Sequence, residues 1–444
     1  MELVRSVGIA FIVLGIIIVI HELGHFLVAK FFKIKVETFS VGFGPRLFGV
    51  RYGETDYRIS AFPLGGYVKM AGEIPGESVT GAPNEFLSKP KWQRFLVASA
   101  GPAMNILLAV GLLTGLFMYG TEVPEYTEGQ PIVGRVEAGS PAEAAGIQAG
   151  DLIVSIAGKD RPNWEEIENR VVTNGGQTLA MVLNRNGQII QTNLTPEKRG
   201  KNEAGYDGIL PKTPLRNVIN KVNPNSPGDA AGLKRGDEIL AVNGKDLKTS
   251  GRELSEVMQQ LVETTFSLTV LRDGKTLEVP VTPVLDNGRR MIGVEYRHVV
   301  PTVIVKENFR GALVRSIDKN FEYGTLIFDV LGKLIRRETS MKSVDGPIMI
   351  MKATSDFYEL GFVPLLSLMA MISLNLGLMN LLPIPILDGG VMLLLIVESV
   401  MRQDLSLAFK ERVIQVSFVF LLTLMVFVLY NDVVKLLPSG QTGP

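Results

Sequence analysis

The sequence predicts a polytopic α-helical membrane protein with four transmembrane helices, a β-rich insert built on a repeat, and a short β-hairpin. Three observations carry that fold class. The mean hydropathy of the 444 residues is +0.24. Four apolar stretches, at about 4–29, 96–118, 362–397 and 413–435, are each long enough to cross a hydrocarbon layer of about 30 Å, the third with a break in its middle. Between the second and third lies a polar segment, about 120–361, in which one pattern occurs twice. Forty-five basic residues balance 45 acidic ones, so the chain has no electrostatic footprint for nucleic acid. Without cysteine, no disulfide can staple the polar segment.

The first apolar stretch carries chemistry. Residues 7–20, VGIAFIVLGIIIVI, hold no charge and run into His21-Glu22-Leu23-Gly24-His25. On a helix, positions i and i+4 are about 40° apart and one turn along, so His21 and His25 project from one face with a gap that a single cation bridges. Zinc takes two neutral imidazoles, and Glu22, adjacent but unbound, can accept the proton of an attacking water. Ionisable groups in a membrane helix are costly unless paired or ligated, which favours metal binding over a chance match. No small-residue cleavage site follows, so the stretch is expected to stay as a span rather than leave as a signal peptide.

The chain has three histidines, and the third, His298, follows a long polar region. Catalytic zinc usually has three protein ligands, which leaves a carboxylate from another span. Asp388 stands out, in Asn380-Leu381-Leu382-Pro383-Ile384-Pro385-Ile386-Leu387-Asp388-Gly389-Gly390, between two apolar runs. The prolines break the helical ladder there, and the glycines are expected to let the metal helix approach. Without a metal, Asp388 reads as a helix cap after a proline break.

Positive charge orients the spans. The loop from Lys30 to Arg94 holds ten Lys or Arg, and the loop between the last two spans holds Arg402, Lys410 and Arg412, so both are expected in the cytoplasm. Both termini and the insert then lie outside, with the site toward the cytoplasmic side. Within the first loop, Thr55–Phe62 alternates, and Pro63–Met70 turns and alternates again, which reads as a hairpin over about 55–72. Residues 308–337 mix apolar and basic positions at helical intervals, as expected of an amphipathic segment on the outer membrane surface, here about 300–361.

In the insert, Ser140-Pro141-Ala142-Glu143-Ala144-Ala145-Gly146-Ile147-Gln148-Ala149-Gly150-Asp151 returns as Ser226-Pro227-Gly228-Asp229-Ala230-Ala231-Gly232-Leu233-Lys234-Arg235-Gly236-Asp237, 86 residues later. Arg185-Asn186-Gly187 answers Arg272-Asp273-Gly274 one residue further out. With the alternation in VGRVEA, LIVSIAG, INKVNP and EILAVNG, the copies resemble PDZ domains, which bind extended chains by adding a strand to a sheet edge. Candidate peptide loops end each copy, Gly205-Tyr206-Asp207-Gly208-Ile209 and Ile292-Gly293-Val294, which implies two tandem circularly permuted PDZ modules, about 121–213 and 214–299. Ordinary turns at these glycines, with the pair acting as a size filter, are the other reading.

HELGH in the first span, NLLPIPILDGG in the third and the modules between the second and third together resemble the site-2 protease family of intramembrane zinc metalloproteases, over nearly the whole chain. Within it the tandem modules are most similar to the RseP-type branch, which regulates the sigma-E envelope stress response in Gram-negative bacteria. The resemblance implies one zinc ion held by His21, His25 and Asp388, with Glu22 as catalytic base. It implies substrate contacts at Asn380, with Asn375 further up the same segment, at Gly42 and Gly44 in a neighbouring loop, and at a membrane-dipping β element containing Tyr67 that pairs with substrate. It also implies a multi-pass protein of the bacterial inner membrane that cuts single-span membrane proteins: an anti-sigma factor after a first cut, and remnant signal peptides. The alternative is a membrane-bound PDZ scaffold with a vestigial metal site, against which the intact HELGH and Asp388 stand.

Overall fold

A computed structural model describes residues 2–73, 80–200, 203–213, 216–247, 254–261, 264–286, 289–339 and 344–436. The chain forms two compact units, one from Met1–Thr121 with Lys306–Pro444 and one from Glu122–Val305.

The helices of the first unit are numbered α1 (Glu2–Phe31), α2 (Lys91–Tyr119), α3 (Phe309–Ile335), α4 (Pro347–Leu360), α5 (Phe362–Asn380), α6 (Asp388–Met401) and α7 (Leu407–Leu436). Among the described residues four helices are long and apolar enough to cross a membrane: Val7–Phe31, Lys91–Tyr119, Phe362–Asn380 and Leu407–Leu436. Small residues bring α1, α2 and α5 together, as in membrane bundles where packing must replace the hydrophobic effect. A Cβ on Gly24 would lie 2.3 Å from the Ala100 carbonyl oxygen, and one on Gly377 would lie 3.0 Å from that of Pro102. Ser373 Oγ ties α5 to α2 by donating to the Asn105 carbonyl at 2.8 Å.

The third apolar stretch is broken where its prolines fall, α5 ending at Asn380 and α6 starting at Asp388. The glycine pair serves this turn rather than the metal helix. A Cβ on Gly389 or Gly390 would come within 2.2 Å of the Leu381 or Ile384 carbonyl oxygen, so the glycines fold the turn back onto α6.

The Asp345-Gly346-Pro347-Ile348 turn opens α4, and Asp432 of α7 caps it by accepting the N–H groups of Gly346, Ile348 and Met349 at 2.8, 3.0 and 3.2 Å. The amphipathic segment contains α3, which packs on α2. Ala312, Ser316 and Asn320, spaced by four, form a small polar stripe along which α3 runs beside α2. Ser316 Oγ donates to the Val110 carbonyl and accepts from Thr114 Oγ1, each at 3.0 Å.

The loop between α1 and α2 folds into β1 (Val36–Tyr52) and β2 (Thr55–Met70). The expected hairpin over 55–72 is not formed as such. Residues 56–59 and 66–70 of β2 do not pair with each other; both pair with 36–41 of β1, from opposite sides. The tight turn is at Gly53, φ +61°, joining 46–52 to 55–60. The segments therefore lie in the order 66–70, 36–41, 56–60, 46–52, a four-stranded sheet from two bent strands in which 36–41 runs parallel to 56–59 and the other neighbours are antiparallel. Alternation reveals strands but not partners, so 56–59 and 66–70 read as a pair although 36–41 lies between them. The far edge exposes Leu47, Phe48, Val50 and Tyr52.

The second unit contains two modules with the same plan. In the first, strands Leu152–Ile156, Leu179–Arg185 and Gln188–Leu194 pair in order, and Val133–Val136 pairs with Ile209–Pro211. In the second, Glu238–Val242, Phe266–Arg272 and Lys275–Val281 pair likewise, and Arg216–Val222 pairs with Val294–Val299. Ser140 and Ser226 each cap a one-turn helix that has Pro at its first position. Of the candidate peptide-loop residues, Ile209 and Ile292 are core residues, 8% and 2% exposed. Gly208 and Gly293, φ +80° and +69°, press on Ser140 and Ser226, where a Cβ would come to 2.3 Å of the serine Cβ. Gly205 lies against the Val171 carbonyl, Tyr206 donates its hydroxyl to Glu137, and Val294 packs on the second core.

Candidate metal centre and active site

Helix α1 places His21 and His25 one turn apart on the face turned to α2, and Asp388 reaches them from the first turn of α6. His21 Nε2 lies 3.1 Å from Asp388 Oδ2, His25 Nε2 3.4 Å from Asp388 Oδ1, and the two Nε2 atoms 3.3 Å apart. These ligand atoms all lie within 4.8 Å of one another, on side chains that are buried or nearly so.

The donor set fits a cation. The His25 Nδ1–H donates to the Val97 carbonyl at 2.7 Å, which leaves its Nε2 lone pair turned to the other ligands. His21 Nδ1 lies 3.2 Å from Asn105 Nδ2, while Asn105 Oδ1, fully buried, has no hydrogen-bond partner. Amide N and O positions are interchangeable assignments, and turning the amide satisfies the orphan by letting Oδ1 accept the His21 Nδ1–H. Both histidines then present bare Nε2 lone pairs to one point beside a carboxylate. Gly101 of α2 makes room for that point: a Cβ there would sit 2.3 Å from His25 Nε2 and 2.7 Å from His21 Nε2.

A cavity of about 450 Å³ runs from this cluster. Glu22, Tyr67, Val68, Met70 and Asn380 line it together with His21, His25 and Asp388. Asn380 Nδ2 is 3.5 Å from His21 Nε2. The edge segment 66–70 lies along α1: the Val68 N–H is hydrogen-bonded to the Glu22 carboxylate, and a Cβ on Gly66 would touch Glu22 Cγ at 3.4 Å. Tyr67 stacks on Phe43, centroids 5.9 Å apart, and accepts from Arg58. Glu73 follows the edge and accepts the Met70 N–H at 3.1 Å; outside the spans, it has its carboxyl pushed above the ordinary range by burial.

Not every expected residue belongs to the cavity. Asn375 is exposed on α5, and its neighbour Ser373 is the residue that faces α2. Gly42 and Gly44, φ +90° and +88°, form the bend of β1 packed on Phe62 and do not line the cavity. Gly101 and Asn105 are the residues the sequence reading missed. Their signal was present as Gly101-Pro102-Ala103-Met104-Asn105, a helix breaker and an amide inside an otherwise apolar span.

The comparisons agree with this geometry. The model of Peptidase family M50 matches residues 9–424. A regulator of sigma E protease from Haemophilus influenzae is 33% identical over 98% of this chain and all of its own. The regulator of sigma-E protease RseP of Escherichia coli K12 is 32% identical over 96% of this chain and 97% of its own. A relative from Vibrio cholerae serotype O1, named as a zinc metalloprotease, is 31% identical over 96% and 98%. With a histidine pair and a carboxylate converging beside an unligated glutamate, and a family match over nearly its whole length, the chain belongs to peptidase family M50, the site-2 proteases, and is a zinc metalloendopeptidase of the RseP type.

Proposed function

We propose that His21, His25 and Asp388 hold the zinc ion, that Glu22 is the catalytic base, and that the substrate is a single-span membrane protein cut within the bilayer. The observation that carries this reading is the convergence of three ligand atoms where Gly101 leaves α2 without a Cβ. When bound, zinc supplies a Lewis acid for the scissile carbonyl and acidifies the attacking water. Glu22 takes one proton from that water as its oxygen bonds to the carbonyl carbon, and returns it to the leaving nitrogen as the C–N bond breaks. Asn380 donates to the backbone of a locally unwound substrate, where helical hydrogen bonds no longer shield the peptide bond.

The edge 66–70 extends the substrate as an added strand. Its outward N–H groups at Val68 and Met70 are engaged by Glu22 and Glu73 until a substrate strand takes their place, which frees Glu22 for the water. The exposed apolar far edge of the sheet fits the membrane interface.

The two outer modules are PDZ domains lying outside the inner membrane, as are both termini. The close packing of Gly205, Gly208 and Gly293 favours a size filter over capture of chain ends. The natural substrate is an anti-sigma factor after a first cut, with remnant signal peptides as a second class. Glu22→Gln should retain one zinc per chain, read by metal analysis, and lose more than 99% of cleavage of a single-span test substrate. Undiminished cleavage would remove Glu22 from the mechanism.

A further inference from the structure

The cavity extends beyond the metal centre to a second polar group. Along α2, Arg94 stands seven residues before Gly101, about 10 Å along the helix axis from the metal cluster. Arg94 lines the same cavity, yet its side chain is only 8% exposed. Among the described residues its guanidinium has no hydrogen-bond acceptor, its Nε is orphaned, and its nearest anion is Glu398 Oε2 at 4.0 Å.

Glu398 is already neutralised. Its Oε1 accepts from Lys410 Nζ at 2.5 Å and from the Leu405 N–H at 3.0 Å, with the side chain 1% exposed. Lys91 is matched by Asp404 at 2.9 Å, and Glu73, the other carboxylate lining this stretch, is turned to the Met70 N–H. Arg94 thus has only a long ion-pair contact and no hydrogen-bond acceptor in a sheltered place. A buried guanidinium with unfilled donors is costly, and its rigid fork is shaped for a carboxylate.

We propose that Arg94 is a substrate-recognition residue that binds a carboxylate of the polypeptide lying in the cavity. Resting on the endopeptidase reading, this puts the contact about three residues of extended chain from the scissile bond, at about 3.3 Å per residue. The carboxylate has two possible sources: an acidic side chain flanking the scissile bond, or the new C-terminus of the product as it moves off.

Full-length zinc-loaded enzyme in proteoliposomes separates them. Single-span substrates differing only by Asp→Asn or Glu→Gln on that flank should differ about tenfold in KM with kcat little changed, as expected for one charge-assisted hydrogen bond. The difference should vanish in Arg94→Gln and persist partly in Arg94→Lys. If the product is the source, the product peptide with a free C-terminal carboxylate should bind Glu22→Gln enzyme about tenfold more tightly than its amide. That preference should disappear in the Glu22→Gln, Arg94→Gln double variant.

Wild-type enzyme that cleaves acidic and neutral substrates alike, and a Glu22→Gln enzyme that binds acid and amide peptides alike, would overturn the assignment even if the Arg94 variants fail to fold. A wild-type enzyme that cleaves none of the substrates would instead count against the endopeptidase reading.

Discussion

Sheltered carboxylates occur in both units, and the surroundings of the partly buried Asp388 differ in kind from those of the buried aspartates Asp151, Asp237 and Asp432. In the second unit, Asp151 is fully buried and saturated: Arg185 donates to both its oxygens at 2.7 and 2.8 Å, and the Gln148 N–H donates at 2.9 Å. Asp237 repeats this with Arg272 at 2.7 and 2.6 Å and the Lys234 N–H at 2.8 Å. Each arginine also donates to a carbonyl, Gly146 or Gly232, at the end of the capped turn. In the membrane unit the polar partners of Asp388 among the described residues are the Nε2 atoms of His21 and His25. Saturated buried charge holds a fold together, and unsaturated buried charge marks where a ligand goes.

The largest way to break that contrast is Gly101→Ala. Its new Cβ would occupy the point toward which both Nε2 atoms face, closer than any real Cβ contact, and backbone on α2 cannot yield easily. Zinc content and cleavage should both be lost, while the two modules of the second unit keep their cooperative unfolding. Retained zinc would mean that the metal lies elsewhere.

The converse test is Arg185→Ala or Arg272→Ala. Each strands a buried aspartate and should lower the melting temperature of its own module, read by thermal unfolding, without altering zinc content. Acid should act on the same pairs. Arg185 holds the Asp151 carboxyl below its usual range; burial pushes Asp237 up, but the Arg272 hydrogen bonds outweigh it and leave it lowered. The stability from these depressed values is complete above the unfolded pKa of about 3.9 and is lost as pH falls through the lower folded value. Both modules should therefore hold at pH 5 and loosen below about pH 4, followed in the first by fluorescence of Trp164, which is 2% exposed.

Much of this was legible beforehand, for physical reasons that also mark the limits. Hydropathy finds spans because a lipid-facing helix has no alternative to apolar side chains, and the candidate ligands His21, His25 and Asp388 are conspicuous because charge in such a run needs a cause. The repeat was legible because each copy must rebuild the same saturated pair, so Asp151 and Arg185 recur as Asp237 and Arg272. What failed were relations between segments. The glycines at 389 and 390 looked like contacts to α1 because a sequence does not say which backbone comes near, and the partners of 56–59 and 66–70 depended on a strand, 36–41, that lies earlier in the chain.

The smallest effect concerns two asparagines in the spans. Asn105 is fully buried and bonded to His21, so Asn105→Ala removes the group that holds the ring and its tautomer, the kind of outer partner whose loss typically weakens metal affinity about 10- to 100-fold. Asn375 is exposed on α5, away from the cavity, and Asn375→Ala should leave zinc affinity and kcat within about twofold, as for surface substitutions worth under about 0.5 kcal/mol. Competition with a chromogenic zinc chelator, run on both variants, measures the gap directly. Equal losses would mean that Asn375 also supports the metal site; equal retention would mean that the Val97 carbonyl on His25 is enough to orient the pair, since the main-chain carbonyl of residue 105 that accepts from Ser373 survives the substitution.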